Sequence, residues 1–198
     1  IKEELSKTQS KIMSATHKMV LNEMFAKISR KFKFITLLSG ISYYNFLKEL
    51  NDNFDEKYET IIKLFKELVD RIISSRKDVI ITISKENKQT SINKAIDFLN
   101  KYQSTSKTTI NFDYEENKEN TSIIMPSLVN YVGQGYLYKN LGYEYEGSML
   151  VLKKYLSTEY LWNNVRVMGG AYGSFIQIDK YGNLGLVSYR DPNVKRTY

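Results

Sequence analysis

Hydrophobic residues in the first part of the chain recur at helical spacing. The pattern predicts one long amphipathic helix, Leu5–Phe32, and a short helix around Tyr43–Leu50. A third helix is predicted after Asn53, which with Glu56 three residues later resembles a capping box. The apolar stripe of this third helix consists of Tyr58, Ile61, Ile62, Phe65, Leu68, Val69, Ile72 and Ile73.

A strand, a helix and a polar connection follow. The β-branched run Val79–Ile83 predicts a buried strand, and the apolar spacing over Ile92–Tyr102 predicts a helix. Residues 103–122 are rich in Ser, Thr, Asn, Lys and Glu, which is typical of a connection between domains. We therefore assign residues 1–102 to a first domain and residues 103–125 to a linker.

A strand and a helix open the segment after Pro126. The stretch Val129–Tyr138 is strand-like, and Gly133 and Gly135 loosen it. The spacing that follows predicts a helix over about Tyr145–Arg166. The apolar face of that helix is predicted to contain Met149, Leu152, Leu156 and Tyr160.

A hairpin and the start of another element complete the pattern. Strands are predicted at Tyr172–Ile178 and Leu184–Tyr189, joined by Lys180–Asn183, a turn rich in residues that accept positive φ. Asp191–Asn193 has the N-cap and N1-proline chemistry of a helix start, and we expect this last helix to be cut off. Residues 126–198 then form a second, truncated domain.

These elements together predict an α+β protein, with helices packed on a mixed or antiparallel sheet in two partial α/β domains. The composition, 42% hydrophobic and 26% charged over 198 residues, is that of a chain that buries real cores. The net charge of +7 arises from Lys and Arg interspersed with Glu and Asp, as on solvated helix faces, so we expect no nucleic acid partner. No apolar run approaches the length of a membrane span, and no membrane partner is expected.

The scarcity of metal ligands excludes several catalytic centres. The chain has no cysteine and one histidine, so it holds no disulfide, thiolate zinc site or cysteine nucleophile. A histidine-rich zinc centre needs several imidazoles, and His17 is the only one available. Asp179 and Asp191 are interpreted as turn and cap residues rather than as a paired acid and base.

One segment, Arg166–Gly173, combines groups that suit peptide chemistry. Its glycines allow close backbone approach, Arg166 offers several donors in a rigid fork, and the Tyr172 phenol both donates and accepts. These groups are suited to holding a peptide backbone and an oxyanion. The alternative is structural: the glycines make a helix-to-strand turn, Arg166 interacts with the helix C-terminus, and Tyr172 packs in the sheet.

The run Tyr160–Gly173, continued by Ser188–Asn193, resembles the C-terminal half of presequence proteases and falcilysin, in the pitrilysin/insulinase (inverzincin) superfamily of zinc metallopeptidases. Val129–Gly133 and Leu38–Tyr43 resemble further segments of that half. The resemblance implies a clamshell of two halves, each with two similar α/β domains. Residues 1–102 and 126–198 are then parts of the third and fourth of these domains.

The resemblance also implies roles for individual residues. Arg166 is expected to hydrogen-bond the substrate backbone, Tyr172 to stabilise the oxyanion, and Gly169 and Gly170 to admit the bound peptide. Zinc is expected on an inverted His-x-x-Glu-His motif in the N-terminal half, outside this chain, so the chain itself holds no metal and is expected to be inactive alone.

The expected function of the parent protein is zinc metalloendopeptidase activity on unfolded peptides in a closed chamber. The expected partners are the N-terminal half of the same polypeptide and the peptide substrates. The alternative is a non-catalytic scaffold subunit of the same superfamily, and a basic nucleic-acid-binding protein rests on net charge alone. A bias toward Lys, Asn and Ile favours the bacterial cytoplasm as location, with an organelle left open.

Overall fold

The computed structural model describes residues 1–74, 80, 82, 86, 88–102 and 112–198. Its regular elements in chain order are α1 (Lys2–Ser14), α2 (Thr16–Ile28), α3 (Arg30–Ser39), α4 (Ile41–Asp52), α5 (Phe54–Ser74), α6 (Lys88–Tyr102), β1 (Gly133–Leu137), α7 (Gly147–Tyr155), β2 (Gly173–Ile178) and β3 (Asn183–Tyr189). A 3₁₀ turn follows β1, and α7 continues in π-helical turns. The α+β class is confirmed, and the described sheet is antiparallel with strand order β1-β3-β2.

The predicted single helix Leu5–Phe32 is wrong, because the segment forms three helices. The chain leaves helical geometry at Ala15, with φ −130° and ψ 41°, and at Ser29, with φ −145° and ψ 118°. The second break lets α3 turn back against α2, where the rings of Phe25 and Phe32 lie 4.8 Å apart. Neither break has a Pro or Gly, so apolar spacing alone does not reveal it.

Helix α2 lies directly on one face of the sheet. A Cβ atom at Gly185 would lie 2.5 Å from the Phe25 ring, and one at Gly133 would lie 2.7 Å from a methyl of Val20. A Cβ at Gly135 would likewise meet Met24. Gly133 and Gly135 were interpreted as loosening β1, and they instead lack the side chains that would hold α2 away from the sheet, as does Gly185 in β3.

The opposite face of the sheet is covered by α7 and its π-helical continuation. The core there contains Tyr138, Leu161, Ile176 and Ile178, with Met149, Leu156 and Val165 against it. The apolar face predicted for the helix over Tyr145–Arg166 is therefore wrong in part, since Leu152 is 42% exposed and Tyr160 is 58% exposed. A π-helical turn holds more residues than an α-turn, so the buried face moves from Tyr160 to Leu161.

The sheet thus lies between two helical layers within one compact unit, Ile1–Asp52 with Tyr114–Tyr198. The end of the predicted linker belongs to this unit: the backbone N–H of Asn117 donates to the carbonyl of Lys27 at 2.9 Å, and Tyr114 donates to the same oxygen at 3.2 Å. The compact units therefore do not coincide with the ranges 1–102 and 126–198, whose assignment to two peptidase domains stays a prediction.

The second compact unit, Asn53–Asp113, contains α5 and α6. Both helices were predicted and are confirmed. The apolar stripe of α5 is buried at Ile61, whereas its residues Tyr58, Phe65, Leu68, Val69, Ile72 and Ile73 are exposed. The strand predicted at Val79–Ile83 lies outside the described residues except for Ile80 and Thr82.

Asp179 has the turn role that the sequence predicts, whereas Asp191 precedes a turn and not the predicted helix. The Asp179 carboxylate accepts the backbone N–H groups of Tyr181 at 2.9 Å and of Asn183 at 3.2 Å, which holds the hairpin turn. The Asp191 carboxylate accepts the N–H of Asn193 at 2.8 Å, a capping bond at the start of a turn. In the described part of the chain, no helix is both long enough and apolar enough to cross a membrane.

Candidate functional site

The motif segments identified in the sequence meet at one end of the sheet. They are Val129–Gly133, Gly169–Gly173 and Ser188–Asn193. The N–H of Tyr172 donates to the carbonyl of Arg190 at 3.3 Å, and the N–H of Asn130 donates to the carbonyl of Asp191 at 2.9 Å. Residues far apart in sequence therefore build one local structure around Tyr172.

The glycines of this site end the π-helical segment. Gly170 has φ +79°, a left-handed conformation that favours glycine, and its N–H donates to the carbonyl of Arg166 at 2.9 Å. A Cβ at Gly169 would lie 2.4 Å from the carbonyl oxygen of Val165. The helix-to-strand turn interpretation is therefore confirmed for both glycines, and their predicted contact with substrate stays a prediction.

Arg166 is held by aromatic rings rather than by anions. Its guanidinium carbon lies 4.0 Å from the centroid of the Trp162 ring and 5.7 Å from that of Tyr172. The guanidinium forms no hydrogen bond or ion pair with any residue that the structure describes. The contact with the Trp162 ring restrains the guanidinium, and its N–H donors remain available to a ligand.

Tyr172 projects from the site instead of packing in the sheet. It is 65% exposed, which contradicts the structural alternative for this residue. Its ring lies edge-on to that of Tyr189, with centroids 5.8 Å apart. The phenol has no hydrogen-bond partner within the described ranges, so its O–H is available to donate.

Arg166 and Tyr172 share a pocket of about 500 Å³. The remaining lining residues are Ser157, Thr158, Trp162, Gly173, Ser174, Phe175 and Tyr189. None of the lining residues is acidic, so Arg166 gives the pocket a positive charge without an internal counterion. An aromatic wall with one cation suits a peptide segment with a carbonyl or carboxylate facing the guanidinium.

Two residues of this site were missed by the sequence analysis. Trp162 lies four positions before Arg166, on the same helical face, and this spacing is the signal that could have identified it. Arg190 lies in a motif segment but received no role. Its guanidinium carbon is 5.9 Å from the centroid of the Tyr172 ring.

His17, on α2, supports the wall of the pocket from behind. Its ring stacks on Phe175 with centroids 5.2 Å apart and meets Tyr189 edge-on at 5.1 Å. Burial, and secondarily the charge of Lys18, lower the pKa of the His17 imidazole below its ordinary value of 6.5. The neutral ring is therefore the form that the fold favours.

We expect the stability of the chain to decline at mildly acidic pH through His17. Because the folded-state pKa of this imidazole lies below 6.5, the unfolded chain binds more protons than the folded chain as pH falls. The contribution of the neutral His17 ring to folding stability is therefore complete above about pH 6.5 and is lost below it. The measurement is the urea midpoint at about pH 7.5 and about pH 5.5. His17→Phe is the control, because it keeps a ring against Phe175 and removes the titration. An equal loss of stability in both proteins would contradict the expectation.

The described residues include few side chains that could bind a zinc ion. Across the residues that the structure describes, His, Cys, Asp and Glu side chains form no group of three or more suited to a metal ion. The one imidazole lies among aromatic rings, with Phe175 and Tyr189 as neighbours. No step of the chemistry can therefore be assigned to a metal held by these residues.

Comparisons with known proteins match the segment that contains this pocket. The family described as PreP C-terminal domain matches residues 120–198. Protein HypA of Clostridium perfringens is 31% identical over 203 residues, covering 100% of this chain and 20% of the relative. Presequence protease 1, chloroplastic/mitochondrial, of Arabidopsis thaliana is 34% identical over 166 residues, covering 81% of this chain and 15% of the relative. Presequence protease, mitochondrial, of Mus musculus is 32% identical over 73 residues.

The chain thus spans about a fifth or less of the length of these curated relatives. The matched range, 120–198, contains β1, β2 and β3 and every residue that lines the pocket. The profile match and the similarity along the chain agree with the resemblance carried by the Gly169–Gly173 and Ser188–Asn193 motifs. Residues 120–198 therefore match the C-terminal domain of the presequence protease family, and the chain is similar along most of its length to presequence protease-type peptidases.

Proposed function

We propose that this chain is the part of a zinc metalloendopeptidase that binds the substrate backbone and stabilises the transition state. The observation that carries the proposal is the pairing of Arg166 and Tyr172 at one pocket. Each presents hydrogen-bond donors that no other described residue uses. Donors held in place without partners are suited to a charge that develops during a reaction.

Tyr172 is the donor to the developing oxyanion. When water adds to a peptide carbonyl, the oxygen gains negative charge, and the phenol O–H can donate a hydrogen bond that strengthens as this charge grows. The contact of its ring with Tyr189 and the backbone bond from Tyr172 to Arg190 hold the side chain in position before substrate arrives.

Arg166 binds the peptide backbone. Its guanidinium is restrained by contact with the Trp162 ring, and its rigid fork of N–H donors suits one or two carbonyl oxygens of a peptide. This contact exists in the bound substrate as well as in the transition state, so it contributes to binding and orientation. Gly169 and Gly170 form the tight turn that follows Arg166, because a Cβ at Gly169 would meet the carbonyl oxygen of Val165 and Gly170 has positive φ.

The zinc ion and the general base belong to another part of the parent protein in this proposal. This placement rests on the resemblance, and the ligand set of the chain supports it. The substrates are unfolded peptides enclosed in a chamber between the N-terminal half of the polypeptide and the present half. The bacterial cytoplasm remains our proposed location.

The test is peptide cleavage by the whole protein and by residues 1–198 alone. We expect the whole protein to cleave an unfolded fluorogenic peptide, to lose this activity with a chelator and to regain it with zinc. Residues 1–198 alone are expected to show neither cleavage nor stoichiometric zinc, because a tight zinc site needs several well-placed ligands.

Two results would contradict the proposal in different ways. Chelator-sensitive cleavage by residues 1–198 alone would place the zinc site in this chain. A zinc-loaded whole protein that folds but cleaves no peptide would favour the alternative function, a non-catalytic scaffold of the same family.

A further inference from the structure

Arg190 has a backbone conformation that an arginine rarely adopts. Its φ is +49°, and among the described residues it is the one non-glycine with positive φ. The Cβ of an L-residue crowds the backbone in this left-handed region, so the conformation costs free energy unless the surroundings impose it. Such outliers concentrate at functional sites.

The surroundings of Arg190 impose the conformation from both sides. Before it, Tyr189 is the last residue of β3 and pairs with Gly173. After it, Asp191 is fully buried and bridges to Asn130 in both directions at 2.9 Å. The chain must turn between these two anchors, and it turns at Arg190.

The turn directs both the backbone and the side chain of Arg190 at Tyr172. The carbonyl of Arg190 accepts the N–H of Tyr172 at 3.3 Å. Its guanidinium carbon lies 5.9 Å from the centroid of the Tyr172 ring and 5.4 Å from that of Tyr189. In the described part of the chain this guanidinium has no ion pair, and the side chain is exposed.

We propose that Arg190 is a positioning residue for Tyr172, retained in a strained conformation because it holds the tyrosine and adds a positive charge beside it. This inference rests on the proposed function of Tyr172. The Tyr172 ring lies within about 6 Å of both guanidinium groups, Arg166 and Arg190. Negative charge that develops on the substrate oxygen bonded to the Tyr172 phenol is then stabilised by two cations that form no ion pair with the described residues.

Two substitutions of Arg190 distinguish the strain of its backbone from the effect of its guanidinium. Arg190→Gly and Arg190→Ala both remove the guanidinium, but only glycine relieves the left-handed backbone. We expect residues 1–198 with Arg190→Gly to melt about 2–4 °C above the Arg190→Ala protein. In the whole protein, both variants are expected to lower kcat about 10- to 100-fold with a smaller change in KM.

A charge-conserving variant distinguishes the two arginines. Arg190→Lys keeps a cation beside the ring, so it is expected to recover most of the lost kcat. Arg166→Lys is expected to recover little of the activity lost in Arg166→Ala, because an ammonium does not reproduce the fork. Lys180→Ala is the matched control: it removes a cation 5.4 Å from the Tyr181 ring, away from the pocket, and should leave kcat unchanged.

The outcomes distinguish this inference from the proposed function. If Arg190→Gly melts at or below Arg190→Ala, the backbone is not strained and the inference is wrong. If Tyr172→Phe lowers kcat while Arg190→Gly and Arg190→Ala do not, the inference fails alone. If none of the three variants changes peptide cleavage, the proposed function fails and the inference fails with it.

Discussion

Tyr172→Phe is expected to lower kcat of the whole protein about 100- to 1,000-fold, the usual effect of removing one oxyanion donor. The phenylalanine keeps the ring against Tyr189 and removes only the O–H. Because this hydrogen bond is strongest in the transition state, kcat and kcat/KM should fall by similar factors and KM should change little. Steady-state kinetics on one fluorogenic peptide measure all three quantities.

Two controls accompany that measurement. Zinc content and melting temperature should match the unsubstituted protein, because Tyr172 is 65% exposed and contributes little to the core. Tyr181→Phe is a matched substitution, since Tyr181 is also exposed at 59% but lies in the hairpin turn. Unchanged kinetics in Tyr172→Phe would contradict the assignment of Tyr172 as the oxyanion donor.

Phe25→Ala is expected to destabilise residues 1–198 by about 3–5 kcal/mol. Phe25 is fully buried, and its ring fills the space above Gly185 that no strand side chain can fill. The loss therefore combines transfer of an aromatic ring to water with a cavity between α2 and the sheet. Urea unfolding followed by circular dichroism gives the free energy of unfolding.

An exposed phenylalanine provides the control for this variant. Phe46 on α4 is 53% exposed, so Phe46→Ala should cost about 1 kcal/mol or less. Similar losses from Phe25→Ala and Phe46→Ala would mean that α2 does not form its core contact with the sheet in solution.

Local chemistry made several parts of this fold predictable from the sequence. The hairpin follows from two β-rich runs joined by Gly182 and Asn183, where Gly182 has φ +106°. Helix α5 follows from a capping box and an uninterrupted apolar stripe. The location of the site at Arg166 and Tyr172 followed from the resemblance, and their chemical roles are still predictions.

Other features depend on contacts between residues distant in sequence, and periodicity could not reveal them. The breaks at Ala15 and Ser29 carry no Gly or Pro, and α3 is turned back by its packing on α2. The shift of the buried face to Leu161 depends on π-helical hydrogen bonds.

The sequence by itself determined the α+β class, the hairpin with its Asp179 turn, and the residues that present donors at the candidate site. These properties are encoded in local propensity, short-range hydrogen bonding and side-chain chemistry. The tertiary structure decided that α2 covers the sheet through its glycines and that Trp162 orients Arg166. It also decided that Arg190 turns with positive φ toward Tyr172, because Tyr189 is paired with Gly173 before it and the buried Asp191 is bonded to Asn130 after it.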